Sequence, residues 1–224
     1  MRTFLTSAAA ALLFIAGCQV FAGAEQAPEQ ALADASSGAG AFQDRRATAR
    51  ERALQRTRGR AQAEAGAIGV IVDKSDRKVR VYRNGQLLRE HDVAVGAPQW
   101  ETPTGTWAFE RVDINPEWIP PDSPWAAGEP RRPAGHPENP MGQARLVFNL
   151  PYTIHGTDDL DSLGTAASHG SIRVANQHVI PLAELLLKAG GAWQGRQWFE
   201  SMVLNRNTEF EIRLPQPIPI EVRE

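Results

Sequence analysis

Residues 78–95 constrain the fold more than any other stretch of the chain. Lys78-Val79-Arg80-Val81-Tyr82-Arg83 alternates polar and apolar side chains, Asn84-Gly85 follows, and a second extended run returns from Gln86 to Val95. A period of two sends successive side chains to opposite faces of a strand, and Asn-Gly supplies the positive-φ residues that a tight hairpin requires. Ile68-Gly69-Val70-Ile71-Val72-Asp73, just before it, is a short β-branched run and reads as a buried strand. Further strands are expected at 105–112, 145–149, 152–155 and 210–214. Helical spacing comes late: Asn176 as N-cap, then Val179, Leu182, Leu185 and Leu186, stopped by Gly190-Gly191, with a second candidate at 194–204. The expectation is a mainly β domain over residues 66–215 with a small helical flank, followed by a C-terminal tail at 216–224.

The first 65 residues read differently. Met1-Arg2 and the apolar run from Phe4 to Ala16 fit an export signal over residues 1–24, too short to span a bilayer comfortably. Two cleavage patterns overlap there. Ile15-Ala16-Gly17-Cys18 resembles a lipoprotein signal, which makes Cys18 a lipidation site and the membrane a partner. Ala22-Gly23-Ala24 fits ordinary signal cleavage. Cys18 is the single cysteine of the chain, so no disulfide and no spare thiol exist in the domain. Residues 25–65 are poor in large apolar groups, and 44–60 carry seven arginines against two acids. A disordered or helical tether is expected, with an electrostatic foot on anionic lipid or polymer as the alternative.

Between 113 and 143 lies a segment holding half of the chain's sixteen prolines together with Trp118 and Trp125. A loop this long without its own secondary structure is usually functional or disordered. One reading is a lid or wall that puts Trp118 and Trp125 on a ligand, with Trp100 at its edge. A self-packed surface loop is the alternative.

Chemistry concentrates between Ile154 and Val174. His155-Gly156 and His169-Gly170 are two His-Gly pairs fourteen positions apart, the second followed by Ser171 and Arg173. Acyl transfer needs a nucleophile, a base for its proton, and donors for the oxyanion that forms. Ser171 can attack, a histidine can accept the proton, and backbone N–H groups beside Gly170 can approach a carbonyl closely.

The pattern His155-Gly156, then Ser168-His169-Gly170-Ser171-x-Arg173, resembles the YkuD-type L,D-transpeptidases, which remodel bacterial peptidoglycan through a catalytic cysteine. Thr102-Pro103-Thr104-Gly105 and Asn139-Pro140-Met141-Gly142 also resemble features of that family. The resemblance implies a β-sandwich or barrel-like catalytic domain, exported to the periplasm or cell envelope, acting on peptidoglycan stem peptides without a cofactor. It implies His155 as general base and His169 as a residue that lines the site. Gly170 and Ser171 amides would be oxyanion donors, and Gly156 and Ser168 would line the substrate, Ser168 bonding a histidine. Arg173 would be an anion partner, for substrate or for Asp158 or Asp159.

Ser171 stands where that family carries its cysteine. A thiol ionises readily beside a histidine, whereas serine needs its proton taken during attack. Three readings stand: a working serine acyltransferase or hydrolase, a peptidoglycan-binding scaffold without chemistry, and a substituted cysteine position. An esterase or amidase on other acyl groups follows from the Ser–His pairing alone. The five histidines form no metal-binding pattern, no phosphate-cradling glycine loop is present, and a net charge of −2 gives no reason to expect nucleic acid.

Overall fold

Asn84 and Gly85 have φ of 50° and 79°, the pair of left-handed residues that a two-residue hairpin turn needs. They join β2 (Lys78–Arg83) to β3 (Gln86–Gly96), with Arg83 facing Gln86 and Lys78 facing Asp92. The computed structural model describes residues 48–224. The export signal, Cys18 and the first part of the arginine-rich segment lie outside the described residues.

β1 (Ile68–Asp73) pairs antiparallel with β2 along its whole length. The sheet then runs through β9 (Phe210–Arg223), β4 (Gly105–Ile114), β5 (Ala144–Asn149), β6 (Tyr152–Thr157) and β8 (Ile172–Ala175) to β3. Because β3 also pairs with β2, the sheet closes into a barrel, and β7 (Ala166–Ser168) hangs outside it on β3. Inward positions are apolar: Val70, Val79, Val81, Phe109, Leu146, Ile154, Ile172 and Ile220 are nearly or fully buried. Each such side chain contributes roughly 1.5–3 kcal/mol of transfer free energy. The mainly β, barrel-like expectation holds.

Among the described residues three α-helices flank the barrel. Residues 48–65 form α1, whose exposed face is polar and whose last turn docks through buried Ala61 and Ala65. The packed unit therefore starts earlier than residue 66, and Gln62 ties α1 to Ala189 O and Gln216 Oε1 at 3.3 and 2.7 Å. α2 (Asn176–Ala189) packs Val179, Leu182 and Leu186 against the sheet, and α3 (Arg196–Leu204) contributes Phe199 and Met202. Among the described residues no helix is long and apolar enough to cross a membrane.

Two expectations need correction. The segment from 216 onward is no tail: β9 continues to Arg223 and lies between β1 and β4. Pro215, Pro217 and Pro219 argue against a strand, since proline lacks the N–H that a ladder uses. Their spacing of two puts all three missing donors on one edge, and β1 joins that strand only from Ile220 onward. Asn176 is also not the N-cap of α2; Ala175 occupies that position. The Asn176 side chain instead accepts from Gln143 N–H at 2.9 Å and donates to Asp158 at 2.8 Å.

That asparagine closes the long insert. Gly142, at φ 63°, leaves no room for a β-carbon, which would lie 2.5 Å from the Gly156 carbonyl carbon and against Asn176 Oδ1. Gly142→Ala should therefore cost about 2–3 kcal/mol through overpacking and backbone strain. A urea midpoint within error of the parent would contradict this knot.

Candidate active site

β6 and β8 run parallel, with Ile154 level with Ile172, His155 with Arg173 and Gly156 with Val174. Ile154 and Ile172 are fully buried in the barrel, so their neighbours His155 and Arg173 take the other face. Ser171, one residue before β8, falls level with Thr153. Thr153, His155, Ser171 and Arg173 thus form one patch under the insert. Residues joining the two strands must pass outside the sheet, as parallel strands require. That connection carries the turn from Ser168 to Ser171.

The turn is stapled from within. Ser168, 2% exposed, donates its hydroxyl to Ser171 O and accepts from Gly170 N–H at 3.1 Å. Outside the turn, buried Thr102 donates its hydroxyl to Gly170 O and accepts from Gly96 N–H, both at 2.8 Å. Gly170 has φ 101°, and a β-carbon there would sit 2.8 Å from the Tyr152 ring. These contacts correct two expectations. Ser168 bonds the backbone and no histidine, and Gly170 N–H is already engaged, which leaves the Ser171 amide as the expected donor still available.

Ser171 is partly exposed. Its Oγ accepts from Thr153 N–H at 3.2 Å and lies 3.4 Å from Thr153 Oγ1 and 3.5 Å from Pro151 O. None of its hydrogen bonds to described residues reaches His155. His155 is 3% exposed, and Nδ1 bonds Gly156 O at 2.9 Å. Burial pushes its pKa down to about 4, with Arg173 and Arg145 adding to the shift and the Gly156 and Pro140 carbonyls opposing it. At neutral pH the imidazole is uncharged.

His169 is exposed and lies in an aromatic cradle. The Trp125 ring, from a 3-10 turn of the insert (Pro124–Ala126), stacks on it at 3.9 Å and 12°, and Trp100 meets it at 5.9 Å and 59°. Burial, then Arg173, lowers its pKa. Of the two acids offered for Arg173, Asp159 lies 3.5 Å from it, while Asp158 goes to Asn176.

Two expected ligand-contact residues fall elsewhere. Trp118 is 6% exposed inside the insert, paired with Arg132, whose guanidinium sits 4.9 Å over its ring. Gly156 is buried against Asn176 and Val179, where a β-carbon has no space. Thr102, Thr153 and Asn176 carry contacts that the sequence did not assign to them. For Thr102 the signal was available, in the Thr-Pro-Thr-Gly motif.

Across the sheet the patch continues as a charged row. Arg145 is level with His155, and Asp113 with Arg145. Asp113, fully buried, takes Arg145 at 2.7 Å and Arg111 at 2.8 Å, and Arg145 also reaches Glu209 at 3.2 Å. Asp113, Glu209 and Glu211 lie close enough to hold a cation. Arg111 and Arg145 already supply the positive charge, so the cluster reads as an ion-pair network.

Residues 68–196 match the YkuD family, the L,D-transpeptidase catalytic domain, over more than half of the chain. "Probable L,D-transpeptidase YbiS" of Escherichia coli (strain K12) is 31% identical over 120 residues, covering 50% of this chain and 39% of that protein. "Probable L,D-transpeptidase ErfK/SrfK" of Salmonella typhimurium (strain LT2) is 27% identical over 182 residues, covering 68% of this chain and 56% of that one. The solved "L,D-transpeptidase from Mycobacterium smegmatis" aligns over 70% of this chain and 58% of its own, at 16% identity and a TM-score of 0.44. Each match spans less than two thirds of the relative's own length.

Two outcomes follow from the geometry. Thr102→Val keeps the shape but strands Gly170 O and Gly96 N–H, and should cost about 1–3 kcal/mol in urea unfolding, with Thr102→Ser recovering most of it. His155 titrates lower folded than unfolded, so the unfolded chain binds more protons between the two values and stability rises with pH there. From pH 6.5 down to 4 the protein should lose about 3 kcal/mol on this account. A His155→Gln protein should lack that loss; an identical pH dependence would remove the buried neutral imidazole.

Proposed function

Because the chain belongs to the YkuD family of L,D-transpeptidase catalytic domains, we propose that it performs acyl transfer on peptidoglycan tetrapeptide stems, with Ser171 as nucleophile. The observation that carries this reading is the shared patch on β6 and β8. A partly exposed hydroxyl on a stapled turn lies one strand from a buried, uncharged histidine.

In the reaction, the Ser171 hydroxyl first turns away from Thr153 N–H. Its Oγ attacks the carbonyl carbon of the third stem residue while the His155 imidazole takes the hydroxyl proton. The Ser171 amide faces the oxygen that becomes negative. The C–N bond to the terminal D-alanine then breaks, and the proton passes from His155 to the departing amine. An ester to Ser171 remains. An acceptor amine attacks that ester to form a cross-link, or water attacks it to release a shortened stem. Arg173 and Asp159 hold charge at the rim, and Trp125 with Trp100 fixes His169 beside the nucleophile. The same reading puts the protein in the cell envelope, exported by an N-terminal signal that is cleaved before Cys18, so that Cys18 becomes the attachment point to a membrane.

A base with a pKa near 4 is weak, and serine depends on its base more than cysteine does. Slow turnover is therefore expected, with Ser171→Ala abolishing it and Ser171→Cys raising it by roughly tenfold or more. The kcat/KM profile should rise through pH 4, where His155 loses its proton, to a plateau. Mass spectrometry of disaccharide-tetrapeptide products, scored for D-alanine loss and dimers, is the measurement. Turnover by the Ser171→Cys protein with none by the parent would overturn the serine chemistry and favour a wall-binding role.

A further inference from the structure

The face formed by α1, the β2–β3 hairpin and the outer side of α2 plays no part in the site above. Two adjoining depressions of about 330 and 340 Å³ run along it and share Glu64 and Lys188. Cations from four directions line them: Arg60 from α1, Arg83 and Arg89 from the hairpin, Lys188 from α2 and Arg196 from α3. Among the described residues, the only carboxylates in the lining are Glu64 and Glu184. A chain with a net charge of −2 has therefore gathered positive charge in one trough.

Those carboxylates are already engaged. Glu64 pairs with Arg60 at 2.8 Å, Glu184 with Lys188 at 2.7 Å, and Arg196 turns to Glu200 at 3.6 Å. Arg83 and Arg89 pair with no carboxylate among the described residues, and Arg83 Nε is shut off from water without a hydrogen bond. Lys188 also lies 4.6 Å over the Trp193 ring, which forms an apolar wall of the second depression. Exposed Arg50, seven residues before Thr57 and fourteen before Glu64, falls on the same face of α1.

Shape selects among anionic partners. The cations line a recess, where an extended chain can reach guanidiniums that a flat bilayer would meet last. Glu184 is eight residues beyond Asn176, about 12 Å along the axis of α2, so the trough lies apart from the Ser171 patch.

We propose that this trough binds an extended carboxylate-bearing polymer, guanidinium to carboxylate, as a second attachment point on the protein. On the functional reading above the polymer is peptidoglycan, whose stems carry free carboxylates; the binding of a polyanion stands without that reading. An occupied trough would hold the protein on its polymer while the Ser171 patch meets successive stems.

The test uses the full chain. Labelled poly-L-glutamate is titrated in anisotropy, and pull-downs use peptidoglycan, peptidoglycan with its carboxylates amidated, and phosphatidylglycerol vesicles. Binding to polyglutamate and to untreated peptidoglycan, lost on amidation, is expected. Replacing both Arg83→Gln and Arg89→Gln should weaken polyglutamate binding about tenfold, with melting temperature and D-alanine release unchanged. Arg89→Gln alone, at an exposed position, should weaken it about threefold, whereas Arg206→Gln, the same charge loss beside the insert, should not. Equal binding by the Arg89 variants and parent, or capture by vesicles without capture by polyglutamate, would overturn the proposal. Absence of D-alanine release bears only on the catalytic reading, because the polyglutamate titration does not require it.

Discussion

Everything at the site depends on β6 and β8 lying side by side in parallel. That register, with Ile154 and Ile172 in the core, forces His155 and Arg173 onto the outer face and brings Ser171 level with Thr153. A shift by one residue would send the histidine into the barrel and an isoleucine to the surface. Parallel pairing also demands a connection that leaves the sheet and returns. The connection is where Ser168 and Thr102 find their work, since residues 169–171 lie beyond the ladder that holds β7 on β3. Gly142, Gly156 and Asn176 then lock the insert to the same strand, without space for one more carbon.

Electrostatics around His155 follows from that placement. The imidazole sits between two arginines level with it on the neighbouring strands, Arg145 and Arg173, in a space closed to water. Each arginine is drawn aside by its own acid, Arg145 by Asp113 and Glu209 and Arg173 by Asp159. Burial first, and the two arginines after it, keep the histidine neutral and leave it a weak base. A thiol would tolerate such a base better than a hydroxyl does, because it loses its proton more easily.

Much of the fold could be read from the chain. β1 to β3 follow from alternation and Asn-Gly, α2 from its leucines, and the barrel-like class from the family resemblance. The short strands β7 and β8 were not foreseen, because Ala166–Ser168 and Ile172–Ala175 have too few residues to show a period. Prolines disguised the second half of β9, and Asn176 has the composition of a cap while making long-range bonds instead. At the site, His155, Ser171 and Arg173 came to share one patch on β6 and β8, and Trp125 came to stack on His169. Trp118 and Gly156 fell elsewhere: a tryptophan in an insert can seal the insert itself, and a glycine in a motif can mark a packing limit. No local pattern distinguishes these cases, because the partners, Arg132 and Asn176, lie elsewhere in the sequence.

β9 is the last strand in chain order, yet it sits between β1 and β4. A chain that leaves the ribosome or a translocation pore N-terminus first must hold the earlier strands unclosed until residues 210–223 emerge. Hydrophobic faces of β1 and β4 stay available to chaperones for that interval, and native structure arrives as a late, concerted event rather than strand by strand.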